Sequence, residues 1–456
     1  MGRSSTLKIC ILAVIASVLS AFAGLYARTS ADSGLQAQRR ARVEEIIGTM
    51  SIREKVAQLF VIEIDSREDS ATLMEQDTLI RDCGVGSLIV MGGYARKFVP
   101  RLNRLQSMAR YPLLVCIDGE WGAAMRLKEY RPYQRQAHFG RLDNARDLLY
   151  RMGRNVGKEL KDLNILVNFA PVADVCPEKY INDFAQRAFS NDPSQVADYS
   201  NAYMLGMQDA GIYACGKHYP GHGDTEVDSH KALPVMNFSK ERLDSIEYVP
   251  FKKMIDNGLA MMMIAHLCIP AIDSSGLPMS LSSKCVCDLL QNEHGFKGVV
   301  ITDALAMKGA RGDMDQVDVD VLAYKAGVEM FLMSTTPAQS IAAITDSVSR
   351  YMQYVSVELP GRPSNDFTLE DLNSRVRKVL MLKANAGYFD DGYSPEIKHL
   401  EKKIRRAARR DRRLQKRIQK ALDASSAPPL PVTDRDETRQ LDKGETRQLD
   451  KGETRR

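Results

Sequence analysis

Residues 216–234 read Gly-Lys-His-Tyr-Pro-Gly-His-Gly-Asp-Thr-Glu-Val-Asp-Ser-His-Lys-Ala-Leu-Pro and bring Lys217, His218, His222, Asp228 and His230 into one short segment. Imidazole beside carboxylate can be a metal ligand set or a proton-transfer pair. A shared metal would need His218 and His222 on one helical face, and Pro220 and Gly221 between them break any helix. Proton transfer has better geometry at Asp228-Ser229-His230. Residues i and i+2 of an extended segment point the same way, so the carboxylate can orient and charge the imidazole. His230 is therefore a candidate proton donor, and the competing reading is a glycine loop whose polar groups satisfy one another. The apolar run Gly211–Cys215 predicts a buried strand, with the polar cluster on a loop at its C-terminal end.

The elements that must carry this loop are legible along the chain. Apolar runs occur at Leu59–Ile64, Val85–Met91, Leu113–Asp118, Ile165–Val175, Ile212–Cys215, Ala260–Ala265, Val299–Thr302 and Val328–Met333. Helix-period segments lie between them, for instance Ala145–Leu163, Ser194–Ala210 and Lys240–Asn257. Ser51-Ile52-Arg53-Glu54 is a capping box ahead of the first run, and Thr368 caps a closing helix that runs to about Asn385. Eight such units predict an α/β fold, a TIM-type (β/α)8 barrel. An open doubly wound sheet is the alternative, but candidate polar residues recur at the C-terminal ends of several strands, which is the barrel habit.

Asp303 ends the run Gly298–Thr302, where an aspartate can be a helix cap or a reacting carboxylate. Lys217-His218-Tyr219-Pro220-Gly221-His222-Gly223 resembles the Lys-His-Phe-Pro-Gly-His-Gly signature of glycoside hydrolase family 3, and Asp228-Ser229-His230 is similar to the acid/base loop of its NagZ-type β-N-acetylhexosaminidases. Thr302-Asp303-Ala304-Leu305-Ala306-Met307-Lys308-Gly309 looks like the family's nucleophile segment. Ile117-Asp118-Gly119-Glu120-Trp121-Gly122 resembles its Asp-x-Glu-Gly-Gly turn, with Trp121 in place of a glycine, and Arg187-Ala188-Phe189-Ser190 resembles its Arg-Ser-Phe-Gly motif. The likeness covers residues 40–387.

This resemblance implies a retaining glycosidase that passes twice through an oxocarbenium-like transition state. Asp303 would be the nucleophile and the His230/Asp228 pair the acid and base. A histidine near its ordinary pKa of about 6.5 can hold the proton when a carboxylate supports it. Asp118, Arg126, Arg187, Lys217 and His218 would bind substrate. The implied reaction removes terminal β-linked N-acetylglucosamine (GlcNAc) from peptidoglycan-derived or other glycans. A β-glucosidase or phosphorylase on the same barrel is an alternative, because a neutral base does not repel phosphate. A catalytically silent envelope glycan-binding protein is another. Trp121 is open to stacking on a sugar or to packing, and His266 is expected to buttress the floor.

The remaining composition bounds the rest. With 456 residues, 44% apolar and 27% charged, the chain can bury a large core. Arg3 and Lys8 precede an uncharged run from Ile9 to Ala27, so residues 1–27 are expected to be an export signal or an N-terminal anchor, and the protein exported, periplasmic or envelope-associated. Seven cysteines follow that segment, an odd number that argues against a disulfide framework. After a barrel over residues 38–390, residues 396–422 form a basic amphipathic helix, with eleven Lys or Arg against two acidic residues in 401–420. It is either a solvated helix on the barrel or a contact for an anionic membrane surface. Residues 423–456 repeat Glu-Thr-Arg-Gln-Leu-Asp-Lys-Gly and are expected to be disordered. No metal or cofactor is expected, nor nucleic acid, since there is no phosphate-binding glycine loop and the basic tract lacks aromatics. Oligomeric state is not encoded legibly.

Overall fold

The computed structural model describes residues 34–177, 186–223, 232–357 and 367–425. Eight parallel strands form its centre: β1 Phe60–Asp65, β2 Ser87–Gly92, β3 Leu114–Ile117, β4 Val167–Asn168, β5 Tyr213–Tyr219, β6 Met261–Ile264, β7 Val299–Thr302 and β8 Phe331–Leu332. They pair in the order β7-β6-β5-β4-β3-β2-β1-β8. A bridge between Ile301 and Met330 joins the two ends and closes the ring. The fold is the expected (β/α)8 barrel. Strands such as Leu-Val-Cys-Ile in β3 and Val-Val-Ile-Thr in β7 are buried at every position, as parallel strands covered on both sides must be.

Local signals hold at several helix ends. Ser51 and Glu54 complete the capping box reciprocally. Thr368 caps the helix Leu369–Asn385, accepting from the Asp371 N–H. The stretch expected as one helix over Lys240–Asn257 is instead two, Lys240–Ser245 and Tyr248–Asp256. Pro250 explains the break, because its ring would clash with the carbonyl of Ile246 in a continuous helix but is tolerated in a first turn.

Two strand expectations need correction. The run Ile165–Val175 contains only the two-residue β4, after which Pro171 has no N–H to continue a ladder. Strand β5 runs on to Tyr219, so Lys217 and His218 belong to the strand and not to the loop. The extension is paid into the sheet by Val172, which bridges Lys217, with the Ala173 N–H donating to the Lys217 carbonyl at 2.7 Å.

The C-terminal helix Leu400–Asp423 packs along the barrel helix Arg146–Asp162. Ile404, Ala407, Leu414, Ile418 and Leu422 bury one stripe. Lys403 Nζ reaches the Asp162 carbonyl at 2.7 Å, and Arg417 pairs with Asp147 at 3.5 Å, so the two helices run antiparallel. Ser425 then bonds the Arg141 carbonyl at 2.9 Å. Among the described residues no helix is long and apolar enough to cross a membrane. Cys83, Cys116, Cys176, Cys215, Cys268, Cys285 and Cys287 are free thiols. Residues 1–33 and 426–456, with the expected signal and repeat tail, lie outside the described residues.

Candidate active site

Polar side chains collect where the strands end at one mouth of the barrel. Asp118 follows β3, and its turn is held from β4: Asn168 Oδ1 accepts the Gly119 N–H at 2.8 Å while Asn168 Nδ2 donates to the Gly119 carbonyl at 3.1 Å. The buried Tyr203 hydroxyl donates to the Glu120 carbonyl at 3.1 Å. Gly122 closes the turn at φ +96°, a conformation that favours glycine.

Lys217, at the end of β5, stands between the two carboxylates of this turn. Its ammonium is 2.8 Å from Asp118 Oδ1 and 2.8 Å from Glu120 Oε1. Arg126 bonds the other Asp118 oxygen at 2.6 Å, and Arg187 grips Glu120 with two nitrogens at 2.8 and 3.0 Å. Burial alone would raise both carboxyl pKa values, but Lys217 and Arg126 hold Asp118 far below the usual range. Arg187 and Lys217 likewise bring Glu120 to about 2. Burial would discharge Lys217, and the two carboxylates outweigh it and keep the ammonium charged. Glu120 is fully enclosed, whereas Asp118 keeps 16% of its side chain open. Glu120 thus organises the cations, and Asp118 is the carboxylate left to accept hydrogen bonds from a ligand.

His218 is fixed from below by Asp174. Its Nδ1 is 2.7 Å from Asp174 Oδ2, so Nδ1–H donates there and Nε2 is the ring nitrogen directed elsewhere. The backbone N–H groups of His218 and His222 also donate to Asp174 Oδ1, at 3.2 and 2.7 Å. Burial would raise the Asp174 pKa, but these histidines hold it below its ordinary value. Burial and the neighbouring His218 lower His222 to about 4, leaving it neutral. Gly223 passes so close to the opposite chain that a Cβ there would lie 2.0 Å from the Val175 carbonyl oxygen.

Asp303 follows β7, and its Oδ1 accepts the Ala304 N–H at 2.8 Å. Its Oδ2 accepts no hydrogen bond from the described residues. Burial would push its pKa up, yet the field of His218 and His266 holds it below the ordinary value. His266, after β6, lies buried with Nδ1 2.7 Å from Ser280 Oγ and Nε2 3.0 Å from the Ala304 carbonyl. Burial lowers its pKa, and Nε2–H donates to the Ala304 carbonyl. It braces the backbone behind Asp303, as a buttress would.

The structure therefore gathers Asp118, Arg126, Arg187, Lys217, His218 and Asp303 at one mouth. Asp228 and His230 lie outside the described residues. Trp121 packs: it is 9% exposed, and Arg135 lies 5.2 Å from its ring centroid. Glu120, Asn168, Asp174 and Tyr203 are functional neighbours to which the sequence reading gave no role. Glu120 had a signal, since it stands in the quoted turn two residues after Asp118. Asn168 and Asp174 had a weaker one, polar residues inside an otherwise apolar run. Among the described residues no group of three or more His, Cys, Asp or Glu is disposed to hold a metal ion. The arrangement offers an ionised carboxylate with one oxygen unengaged by the described residues and a ring of charged donors and acceptors suited to hydroxyl groups.

Comparison with known proteins gives this mouth a context. The family model described as "Glycosyl hydrolase family 3 N terminal domain" matches residues 51–356. Beta-hexosaminidase A of Pseudoalteromonas piscicida is 30% identical over 293 residues, 61% of this chain and 48% of that protein, so the match spans about half of that relative's length. The beta-hexosaminidase of Tolumonas auensis (strain DSM 9187 / NBRC 110442 / TA 4) is 32% identical over 59% of this chain and 81% of its own. Among solved structures, the glycoside hydrolase family 3 beta-N-acetylglucosaminidase from Paenibacillus sp. str. FPU-7 superposes with a TM-score of 0.67 at 27% identity, covering 84% of this chain and 72% of that one.

Proposed function

The chain belongs to glycosyl hydrolase family 3, and from that premise we propose that it is a retaining β-N-acetylhexosaminidase releasing terminal β-linked GlcNAc from peptidoglycan-derived or other glycans. The names of the relatives support the sugar. The observation that carries the chemistry is Asp303: ionised, fixed through Oδ1, and with no hydrogen bond at Oδ2 from the described residues. A nucleophile needs that state before substrate arrives.

In the first step Asp303 Oδ2 bonds to the anomeric carbon as the glycosidic bond breaks. His230, charged with the help of Asp228, gives its proton to the departing oxygen. In the second step His230 takes a proton from water, whose oxygen displaces Asp303 from the anomeric carbon. Asp118 accepts from sugar hydroxyls while Lys217 and Arg126 fix its charge, and Arg187 and His218 complete the polar lining that binds substrate. The segment 1–27 directs this activity outside the cytoplasm, to the periplasm or envelope.

One assay tests the reading: chromogenic β-GlcNAc and β-glucoside, each with and without phosphate. Preferred hydrolysis of the GlcNAc substrate, unchanged by phosphate, supports it. Preference for the glucoside, a phosphate-dependent glycosyl phosphate product, or no turnover of either overturns it in favour of a β-glucosidase, a phosphorylase or a silent binding protein.

A further inference from the structure

The outward face of the C-terminal helix has no role in the site just described. Arg405, Arg409, Arg412 and Lys416 recur at i, i+4, i+7 and i+11, with Arg406 and Arg413 beside them, and all six are exposed. They lie opposite the buried stripe of Ile404, Ala407, Leu414, Ile418 and Leu422, so the helix is apolar inward and cationic outward. The acidic residues do not neutralise them. Asp411 is turned into the protein, where it accepts from Tyr133 at 2.7 Å, and Glu401 pairs with Arg96 at 2.7 Å. None of the six pairs with a carboxylate among the described residues.

At its far end the face opens into a cleft of 340 Å³ between the helix and the segment after the Asp118 turn. Arg131, Arg412 and Lys416 line it with the amides of Gln134, Gln415 and Gln419, and no carboxylate does. Three cations and three amides around one opening suit a phosphate-bearing group.

We propose that this face docks the protein on the anionic surface of a membrane, with lipid phosphates seated along the arginine stripe and in the cleft. Charge complementarity selects an anionic partner. The exposed face offers no aromatic side chain on which bases could stack, which disfavours nucleic acid. Nor does it offer large apolar side chains to insert among acyl chains, so the contact is electrostatic and superficial. The uncharged run Ile9–Ala27 of the same chain gives a membrane a second means of contact, and a polybasic patch added to one weak apolar anchor makes attachment stable. The inference is independent of the glycosidase reading.

The test is vesicle binding by the full chain and by a variant with Arg405, Arg406, Arg409, Arg412 and Arg413 changed to Gln. Vesicles of phosphatidylcholine alone report the apolar contribution, and vesicles with about one-third phosphatidylglycerol add the electrostatic one. At about 0.1 M salt the wild type should favour the anionic vesicles by about 100-fold, and by about 0.5 M salt most of that preference should vanish. In the variant the preference should fall below about threefold, while turnover of a small chromogenic substrate stays unchanged. Equal binding to both vesicle types, or a preference that survives in the variant, overturns the proposal. So does displacement of the protein from anionic vesicles by an equal charge of duplex DNA, which would assign the face to nucleic acid.

Discussion

Lys217 and Glu120 form an enclosed ion pair, Nζ to Oε1 at 2.8 Å, that joins the ends of β5 and β3 across the intervening β4. The same ammonium holds Asp118 and, with Arg126, sets the charge of the carboxylate that faces the mouth.

Replacing Lys217 with Met should leave two carboxylates without their shared cation and cost about 3–5 kcal/mol near neutral pH. The pH dependence follows from the depressed Glu120 pKa. Its stabilisation is present above the unfolded value of about 4.3 and is lost as pH falls through about 2. Urea denaturation of both proteins should therefore show the gap narrowing as the solution is acidified between those values. A gap constant with pH would mean that Lys217 stabilises by packing and not by charge.

Asp174→Ala should remove the acceptor for His218 Nδ1–H and for two backbone N–H groups at once. Each buried donor left unpaired costs about 1–3 kcal/mol, so a clear fall in melting temperature is expected. Turnover should fall as well, because the His218 ring loses its tautomer and orientation. Wild-type turnover in a folded Asp174→Ala protein would remove His218 from the site.

The sequence was most legible where one rule acted alone. The apolar runs became strands because burial on both faces leaves no alternative for a parallel sheet. It was least legible where tertiary contacts decided. Lys217 and His218 looked like loop residues because they are polar and stand beside Pro220, yet Asp118, Glu120 and Asp174 partner them within β5. Asp411 shows a signal that was available: it stands on the buried stripe between Ala407 and Leu414, where an apolar residue fits the period. The approach to Arg187 and the Asp228–His230 loop are outside the described residues, so their part in the site is carried by the sequence alone.

That aspartate ties the C-terminal helix to the substrate turn. Glu159 is buried on the facing helix, its Oε2 accepting the Ala123 N–H at 3.3 Å, and burial together with Asp411 raises its pKa well above the ordinary value. A raised carboxyl pKa contributes stability below the unfolded value of about 4.3 and loses it as pH rises towards the folded value. Glu159→Gln replaces this carboxyl with an amide that does not titrate. Its melting temperature relative to wild type should therefore rise as pH is raised above about 4.3. A difference constant with pH would contradict the raised Glu159 pKa.

Truncation separates the helix from the tail. Removing residues 426–456 should leave kcat, KM and melting temperature unchanged, since the repeat has too few apolar residues to build a core. Removing residues 400–456 should take away the buried Ile404, Leu414, Ile418 and Leu422, each worth about 1.5–3 kcal/mol when buried, and expose the barrel surface they cover. That protein should be markedly less stable or insoluble. A large loss of kcat in the shorter truncation, or full stability in the longer, would overturn this division of the chain.

The most direct measurement of the central claim is to trap the glycosyl-enzyme. A fluorinated, activated β-GlcNAc analogue that loads quickly and hydrolyses slowly should inactivate the protein with one sugar per chain. Digestion and mass spectrometry should then find that sugar on the Asp303 carboxylate, and Asp303→Asn should abolish both labelling and turnover while keeping the wild-type melting temperature. A sugar attached to any other residue, or an Asp303→Asn protein that turns over an aryl β-GlcNAc within about tenfold of wild type, would contradict the account.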